Sequence, residues 1–369
     1  MSVYNPATDS PSMAVSTRDN LNRGEWFSEL QAITRYPICE ILMNDGLAKE
    51  RTGKLLTWRA ADDPGVPKPR TTLYSTYSAD KHAKAYQANM PWRHGEETCA
   101  IDKRERTMNS GEAMVIDEVE LELQHMYQRV CDSCETPALA APPGPSDNLN
   151  EVGIPYYLNC PSNANGTFCG VVPAGYTAGT DLIAGIDPQT THPRYRNYAN
   201  LYTDFTPDNL GVIISNMFLA ISFNPPPKGK DDGTSIDALR CYLGNETRTN
   251  LELMATAQND RLGNDILPMF ASSMMKGITP TPIPLLGGGA NEPSAAAAVN
   301  SFPMFFVNHN LLYPVFLPGE RFAEEGPLPI PMSKMIHWHI SWSYNWECKS
   351  RRRQAVLAKA APFGEGAFS

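Results

Sequence analysis

The most regular pattern of hydrophobic and polar positions lies near the carboxyl end of the chain. Six consecutive even positions carry large apolar side chains and alternate with polar ones: Ile336, Trp338, Ile340, Trp342, Tyr344 and Trp346. Strict alternation is the period of a β-strand whose two faces meet different surroundings. At about 3.3 Å per residue, the stretch predicts a strand roughly 35 Å long with one aromatic face. Ala355–Ala358 is expected to return alongside it as a second strand.

A helical period occupies residues 111–131. Its apolar side chains fall on one stripe with a spacing of 3.6 residues: Val115, Ile116, Val119, Leu123, Met126, Tyr127 and Val130. Ser110 is a suitable N-cap, and about 21 residues form a rod of roughly 30 Å. The remaining positions are rich in acid, which predicts an exposed acidic side that includes Glu118, Glu120 and Glu122.

The predicted helix and the predicted strand have matching lengths. We therefore expect the apolar stripe of the helix to pack on the aromatic face of the strand, because each buries the surface that the other exposes. The residues expected in this common core are Val115, Val119, Leu123, Trp338 and Trp342.

The first part of the chain predicts a projecting hairpin. Lys54–Arg59 and Arg70–Ser78 are rich in Leu, Thr, Trp and Tyr, and the turn between them is rich in Pro, Gly and Asp. Lys68 and Arg70 give this turn a basic tip. Two strands alone are marginal in water, so the hairpin needs a partner such as another subunit. A short helix over residues 25–36, ended by a proline, is expected before it.

A turn-rich segment, Thr136–Pro145, predicts a domain boundary after the long helix. A helix that begins at Pro207 and a second one from about Thr249 to Leu262 follow. We expect them to cover a sheet whose strands lie around Cys241 and over Phe302–Val307.

Composition and charge exclude several classes of protein. Of 369 residues, 42% are hydrophobic and 19% charged, so the chain has enough apolar material for a sizeable core. Its 32 prolines, about 9% against a usual ~5%, argue against a helical bundle. The net charge of −9 argues against a general coat for nucleic acid.

No pattern predicts a membrane span or a secretion signal. The longest mostly apolar run, Leu210–Phe223, has 14 residues and contains Ser and Asn, whereas a span needs about 20. The N-terminus lacks the basic start and apolar core of a signal peptide, so we expect a cytoplasmic protein. Its eight cysteines are then expected to be reduced thiols.

The candidate chemical motifs are weak. Residues 46–54 resemble a phosphate-binding loop but place six residues between the glycines instead of four. Cys131 and Cys134 lack the second cysteine pair that a structural zinc needs, so we favour structural thiols. His337 and His339 share a strand face that could suit a metal, with Glu347 nearby, but a polar half-exposed face is the favoured interpretation. We therefore expect no catalytic residue, no cofactor and no metal.

Three consecutive arginines, Arg351, Arg352 and Arg353, allow two interpretations. They could bind the phosphates of a nucleic acid. In an acidic chain we favour pairing with carboxylates of a neighbouring element or subunit. With Lys68 and Arg70, they are the candidate contacts between subunits.

The order of these elements resembles the major capsid protein of tailed double-stranded DNA phages, which has the Hong Kong 97-like fold. Four stretches carry the local similarity: Ile154–Tyr176, His192–Tyr202, Ala257–Ile266 and Trp342–Lys359. The resemblance implies an α+β fold divided into an N-terminal arm (1–24), an N-terminal helix and extended hairpin loop (25–109), the spine helix of a peripheral domain (110–145), an axial domain (146–320), return strands of the peripheral domain (321–361) and a C-terminal tail (362–369).

The resemblance implies a structural subunit, without enzymatic activity, that assembles as hexamers and pentamers into an icosahedral shell around the genome. The shell would form in the host cytoplasm and become the virion capsid. Implied partners are copies of itself, a portal protein, a decoration or minor capsid protein, and packaged double-stranded DNA through non-specific contact; no membrane is involved. Only about 24 polar residues precede the first predicted helix, which implies a separate scaffolding protein.

Three further expectations complete the sequence-based hypothesis. Glu118, Glu120 and Glu122 would line the interior of the shell and keep DNA from adhering to the wall. A phage tail or receptor-binding structural protein is one alternative. A metal-dependent hydrolase built on His337, His339 and the cysteines is the other.

Overall fold

The computed structural model describes residues 36–43, 47–61, 85–108, 118–173, 175–221, 239–261, 278, 280–283, 286, 301–331 and 333–360. Its helices are α1 Pro37–Met43, α2 Lys103–Met108, α3 Glu118–Leu139, α4 Ile154–Tyr157, α5 Val212–Ile221 and α6 Asn245–Arg261. A turn of π-helix, Pro207–Gly211, leads into α5, and a turn of 3-10 helix covers Arg351–Arg353.

The strands of the described segments are β1 Lys49–Glu50, β2 Leu56–Ala61, β3 Ala85–Met90, β4 Arg93–Asp102, β5 Asn165–Gly170, β6 Asn197–Tyr202, β7 Leu239–Leu243, β8 Pro280–Pro282, β9 Ser301–Asn308, β10 Leu312–Phe316, β11 Ala323–Pro329, β12 Met335–Cys348 and β13 Ala355–Lys359. They form a five-stranded sheet, in which β12 pairs with β10, β11 and β4 and β1 pairs with β10. A six-stranded sheet has the order β5-β6-β13-β9-β7-β8, and β2 pairs with β3 alone.

The alternating aromatic stretch forms β12, the longest strand described, so that prediction is confirmed. Its even positions lie on the same side of the sheet as the odd positions of β4, because Trp338 pairs with Cys99 and Ile340 with Glu97. Helix α3 lies on this side, since Ser133 donates a hydrogen bond to Glu97 over 3.2 Å. The side chains of Val119, Leu123, Trp338 and Trp342 all belong to one hydrophobic core.

Helix α3 extends beyond its predicted end at Cys131 to Leu139. Its buried side chains recur every four residues, at Met126, Val130, Cys134 and Ala138, so the apolar stripe continues past the predicted boundary. Pro137 lies in the last turn and has no N–H to donate to the carbonyl of Ser133, one turn earlier. The predicted break therefore begins after Leu139 instead of at Thr136, and residues 110–117 lie outside the described part.

The six-stranded sheet is buried on both faces. Alternate residues of β13 enter different cores: Val356 and Ala358 face the core shared with α3, and Ala355 and Leu357 face the core beneath α5. The predicted strands near Cys241 and over 302–307 are confirmed as β7 and β9, which pair antiparallel.

The hairpin prediction was half right. Its first strand is β2, but β2 pairs with β3, from Leu56 against Met90 to Ala61 against Ala85. The predicted return strand Arg70–Ser78, together with Lys68, lies in residues 62–84, outside the described part. The hairpin base is therefore farther along the chain than the sequence indicated.

Two other predictions need correction. Strand β13 does not return beside β12; it pairs with β6 and β9 in the other sheet. Helix α6 starts at Asn245, four residues before its predicted start. Pro37 is the first residue of helix α1, because proline suits a first helical turn. The helix predicted over residues 25–36 lies, except for Tyr36, outside the described residues.

Candidate assembly surfaces

The base of the hairpin is fixed to strand β12 and to the loop that contains Ala184. The indole N–H of Trp58, on β2, donates to the carbonyl of Cys348 over 3.0 Å. The Asn345 side chain donates to the carbonyl of Pro91 over 2.9 Å, and the N–H of Asn89 donates to the carbonyl of Ala184 over 2.9 Å. Because these bonds hold the two ends of the hairpin, its orientation relative to the body is set at its base.

A buried carboxylate reinforces this junction. Glu347 is fully buried and accepts a hydrogen bond from Tyr313 Oη over 2.7 Å. Arg51, in the segment before β2, pairs with it at 3.0 Å between Nη1 and Oε2. A carboxylate in such a position needs its partners because burial without them is costly. The odd side of β12 is thus buried toward its end, where the sequence indicated a half-exposed polar face.

Arg351 is a structural residue of the body, which contradicts its predicted role between subunits. Its side chain is 0% exposed. The guanidinium donates to four carbonyl groups and two asparagine side chains at 2.7–3.2 Å: Tyr157, Val171, Tyr195, Gly170, Asn159 and Asn197. None of these acceptors is a carboxylate. Burial lowers the pKa of the arginine. Arg351 therefore joins α4, β5 and β6 where the two sheets meet.

The other predicted contact residues remain accessible or undescribed. Arg352 and Arg353 are exposed, and the Arg352 guanidinium lies 4.0 Å from the centre of the Phe168 ring. Lys68 and Arg70 lie outside the described residues. Of the three consecutive arginines, only Arg352 and Arg353 can contact another copy of the chain.

Helices α5 and α6 carry apolar side chains that are exposed among the described residues. The most exposed are Leu219 (73%) and Val212 (50%) on α5 and Leu253 (56%) on α6. Val212 and Leu219 are seven residues apart and so share one face of α5. Exposed apolar side chains that share a face are candidates for contact with another protein. Sequence analysis did not indicate these side chains because α5 is mostly apolar, and its exposed side carries Val212 and Leu219 as well as the polar Ser215 and Asn216.

The predicted acidic side of the long helix is described only in part. Glu122 is half-buried. The pKa of the Cys99 thiol on β4 is raised mainly by burial of that thiol, and the charge of Glu122 raises it further. Glu122 therefore lies beside the sheet, not on the far side of the helix. The side chains of Glu118 and Glu120 are outside the described set.

The chemical motifs do not converge on a reactive centre. Residues Lys49–Glu50 of the phosphate-loop-like segment form strand β1, parallel to β10. His339 pairs with Glu96 at 3.4 Å. Within the described segments no group of three or more His, Cys, Asp or Glu residues is placed to hold a metal, and none of the helices there is long and apolar enough to cross a membrane.

A cavity of about 340 Å³ opens beside the hairpin base. Its walls come from the corner between β3 and β4 and from two loops, 143–148 and 180–185. Arg93 lies in its wall and donates to the carbonyl groups of Asp147 and Asn148. Since its cation is already engaged within the chain, the cavity is a structural gap at the junction of hairpin and body.

Two carboxyl groups, the buried Glu135 in the last turns of α3 and the half-buried Glu151 after it, have raised pKa values. Burial raises the pKa of Glu135 to about 7, although the N–H groups of Ile38 and Cys39, which donate to Oε2, lower it. Burial likewise raises the pKa of Glu151 to about 7 against the effects of Tyr344 and Arg93. Sequence alone did not indicate either group, because an acidic residue near a helix end usually faces solvent.

Replacing Glu135 by Gln is expected to weaken the pH dependence of stability. The folded-state pKa, about 7, exceeds the ordinary value, so the folded state holds a proton that the unfolded state loses. Stability is then highest below about pH 4.3 and falls as the pH rises to 7, by roughly a few kcal/mol for this group. Glutamine keeps the acceptor for both N–H groups and does not ionise.

Melting temperatures from pH 4.5 to 8 measure this effect. Glu135→Gln should reduce the fall of melting temperature with rising pH and should melt higher than the unchanged protein at pH 8. Glu50→Gln, at an exposed position, should change neither the pH dependence nor the melting temperature at pH 8. Parallel curves for Glu135→Gln and the unchanged protein would show that Glu135 is ionised throughout the range.

Comparison with solved structures identifies the architecture. The chain is similar to the capsid asymmetric unit of Cyanophage A-1(L), with a TM-score of 0.62, 15% identity, and coverage of 93% of this chain and 98% of that one. The chain has the phage capsid fold. It is also similar to the capsid of a native GTA particle (TM-score 0.54, 10% identity, 98% and 100% covered) and to the SrpI encapsulin complex of Synechococcus elongatus (0.51, 10%, 95% and 97%).

No family model matches the sequence, and no curated protein matches it. The capsid fold is thus recognised through the arrangement of elements over nearly the whole chain. The α+β class implied by the resemblance is confirmed. Its finer divisions, including the axial domain over 146–320 and the return strands of the peripheral domain over 321–361, remain predictions.

Proposed function

We propose that this chain is the major capsid protein of a tailed double-stranded DNA phage. It would assemble as hexamers and pentamers into an icosahedral shell that encloses the genome. The observation that carries the proposal is the near-complete mutual coverage with the capsid of Cyanophage A-1(L), since a shared domain alone would leave part of one chain unmatched.

The exposed surfaces support self-assembly. The hairpin is anchored at its base yet has no further strand partner among the described residues, and α5 exposes Leu219 to solvent. Modest contacts of this kind, repeated around every subunit, stabilise a closed shell through avidity. The portal, scaffolding and decoration proteins, and assembly in the host cytoplasm, are parts of the same proposal.

The two alternatives receive less support. A hydrolase built on His337 and His339 would need further ligands, and His339 is paired with Glu96 instead. A tail or receptor-binding protein would be expected to show repetitive β structure, whereas long helix α3 packs across a mixed body.

The test is the size and shape of the particles formed by the purified full-length protein. Size-exclusion chromatography and negative-stain imaging should show shells, capsomers or tubes. A monomer at every protein concentration and ionic strength would contradict the proposal.

Charge on the long helix gives a further prediction for packaging. Replacing Glu118, Glu120 and Glu122 together by Gln should lower the fraction of DNA-filled particles but leave the yield of empty shells unchanged, because less negative charge would oppose adhesion of DNA. The matched control removes three exposed acids elsewhere: Glu50, Glu246 and Glu325. Equal filling in both variants, measured by particle density, would refute the interior role.

A further inference from the structure

Two cysteines from distant parts of the chain meet at the end of the long helix. The Sγ atoms of Cys39, on α1, and Cys131, on α3, are 2.9 Å apart, although 92 positions separate the two residues in sequence. All eight cysteines are free thiols. We propose that Cys39 and Cys131 form a disulfide bond when the protein meets a small disulfide oxidant such as glutathione disulfide.

The surrounding contacts hold the two thiols together. Glu135, one helical turn after Cys131, accepts hydrogen bonds from the N–H groups of Ile38 and Cys39 at 2.9 and 3.1 Å. This carboxyl group therefore fixes the start of α1 against α3 before any covalent bond exists. Cys134, the other member of the CxxC pair, is buried toward Tyr344 instead. The geometry selects Cys39 over Cys134 as the partner of Cys131.

The two thiols differ in reactivity. The Cys39 thiol donates its hydrogen bond to Cys131, which lowers the pKa of Cys131 and raises that of Cys39. Cys131 is half-buried, whereas Cys39 is 1% exposed. Since the thiolate is the attacking species, an oxidant meets Cys131 first.

The exchange with glutathione disulfide has two steps. The Cys131 thiolate attacks one sulfur of glutathione disulfide, whose S–S bond breaks and releases one glutathione thiolate. Cys39 then loses its proton to solvent and attacks Sγ of Cys131 in this mixed disulfide, releasing the second glutathione. Two protein thiols are oxidised to one disulfide, and one glutathione disulfide is reduced to two glutathione molecules.

The bond would enclose the hairpin base. The segment between Cys39 and Cys131 contains β1, β2, β3 and β4, so the disulfide would close a loop that includes both strands of the hairpin. A bond that closes a long loop stabilises mainly by restricting the unfolded chain. The consequence rests on the proposed function: the disulfide would form after the particle leaves the reducing cytoplasm and would link α1 covalently to α3 in the subunit.

A peptide map tests the bond whether or not the protein forms shells. The purified protein is incubated with glutathione disulfide, blocked with iodoacetamide, digested without reductant and analysed by mass spectrometry. The unchanged protein and Cys134→Ser should yield the Cys39 peptide linked to the Cys131 peptide, with the loss of two hydrogen masses. Cys39→Ser and Cys131→Ser should not, and only the unchanged protein and Cys134→Ser should melt several degrees higher after oxidation.

Two results would overturn the proposal. One is a link between Cys131 and Cys134; the other is complete alkylation of both Cys39 and Cys131 after oxidation. Negative-stain imaging of the same samples separates this outcome from the proposed function, because shells without the link would refute only the disulfide.

Discussion

Arg351→Met is expected to destabilise the subunit by about 3–5 kcal/mol, which lowers the melting temperature of a chain of this length by roughly 5 °C. The side chain of methionine fills a similar volume but donates no hydrogen bond. Six acceptors from α4, β5, β6 and the segments beside them would then be buried without the guanidinium. A lysine at position 351 has three donors and no planar fork, so Arg351→Lys should restore only part of the loss.

Arg353→Met is the matched control for this position. It makes the same change two residues away at an exposed side chain, and its effect should stay within about 0.5 kcal/mol. Thermal unfolding of the three variants under one set of conditions measures the difference. Equal melting temperatures for Arg351→Met and Arg353→Met would show that the guanidinium contributes nothing that solvent cannot supply.

Leu219→Asp is expected to abolish shells while the subunit remains folded. Leu219 is 73% exposed, whereas the side chains of α5 that fill the core are Ile214, Met217, Phe218 and Ile221. A charge at position 219 therefore removes no internal packing. It would place an unpaired carboxylate in each contact of an assembled shell, and the penalty is repeated in every subunit.

The assay for Leu219→Asp combines sedimentation velocity with circular dichroism. The variant should sediment as free subunits or capsomers and keep the spectrum of the unchanged protein. Leu149→Asp, a loop position 84% exposed, adds the same charge away from the helix and should still form shells. Normal shell yield for Leu219→Asp would exclude α5 from the contacts between subunits. If the circular dichroism spectrum of Leu219→Asp shows loss of structure, Leu219→Gln, which adds no charge, decides between misfolding and lost assembly.

Local periodicity predicted the elements that depend on local sequence. The alternation from Ile336 to Trp346 and the stripe from Val119 to Val130 each appear as one regular element, because burial of one face imposes its period on the sequence. The start of the helix before Asp208 was also predicted from a capping signal, and Thr206 accepts the expected hydrogen bond from the N–H of Asn209.

Contacts between distant segments could not be predicted in this way. The pairing of β13 with β6 depends on strand order, which no local pattern encodes. Strand β3 escaped notice because Ala85–Met90 lacks β-branched residues.

Arg351 and Arg352 are adjacent and chemically identical, yet one is fully buried and the other exposed. A run of like charges conceals that difference, and only the fold reveals which guanidinium meets buried acceptors. The same limit applies to Glu135, whose partners lie on a helix 96 and 97 positions away.

Cryo-electron microscopy of particles made by the full-length protein tests the central claim most directly. Closed shells are expected, in which copies of this subunit occupy both five-fold and six-fold capsomers and the hairpin of each copy lies on a neighbour. Particles without capsomers, or a protein that stays a single compact subunit in every preparation, would contradict it.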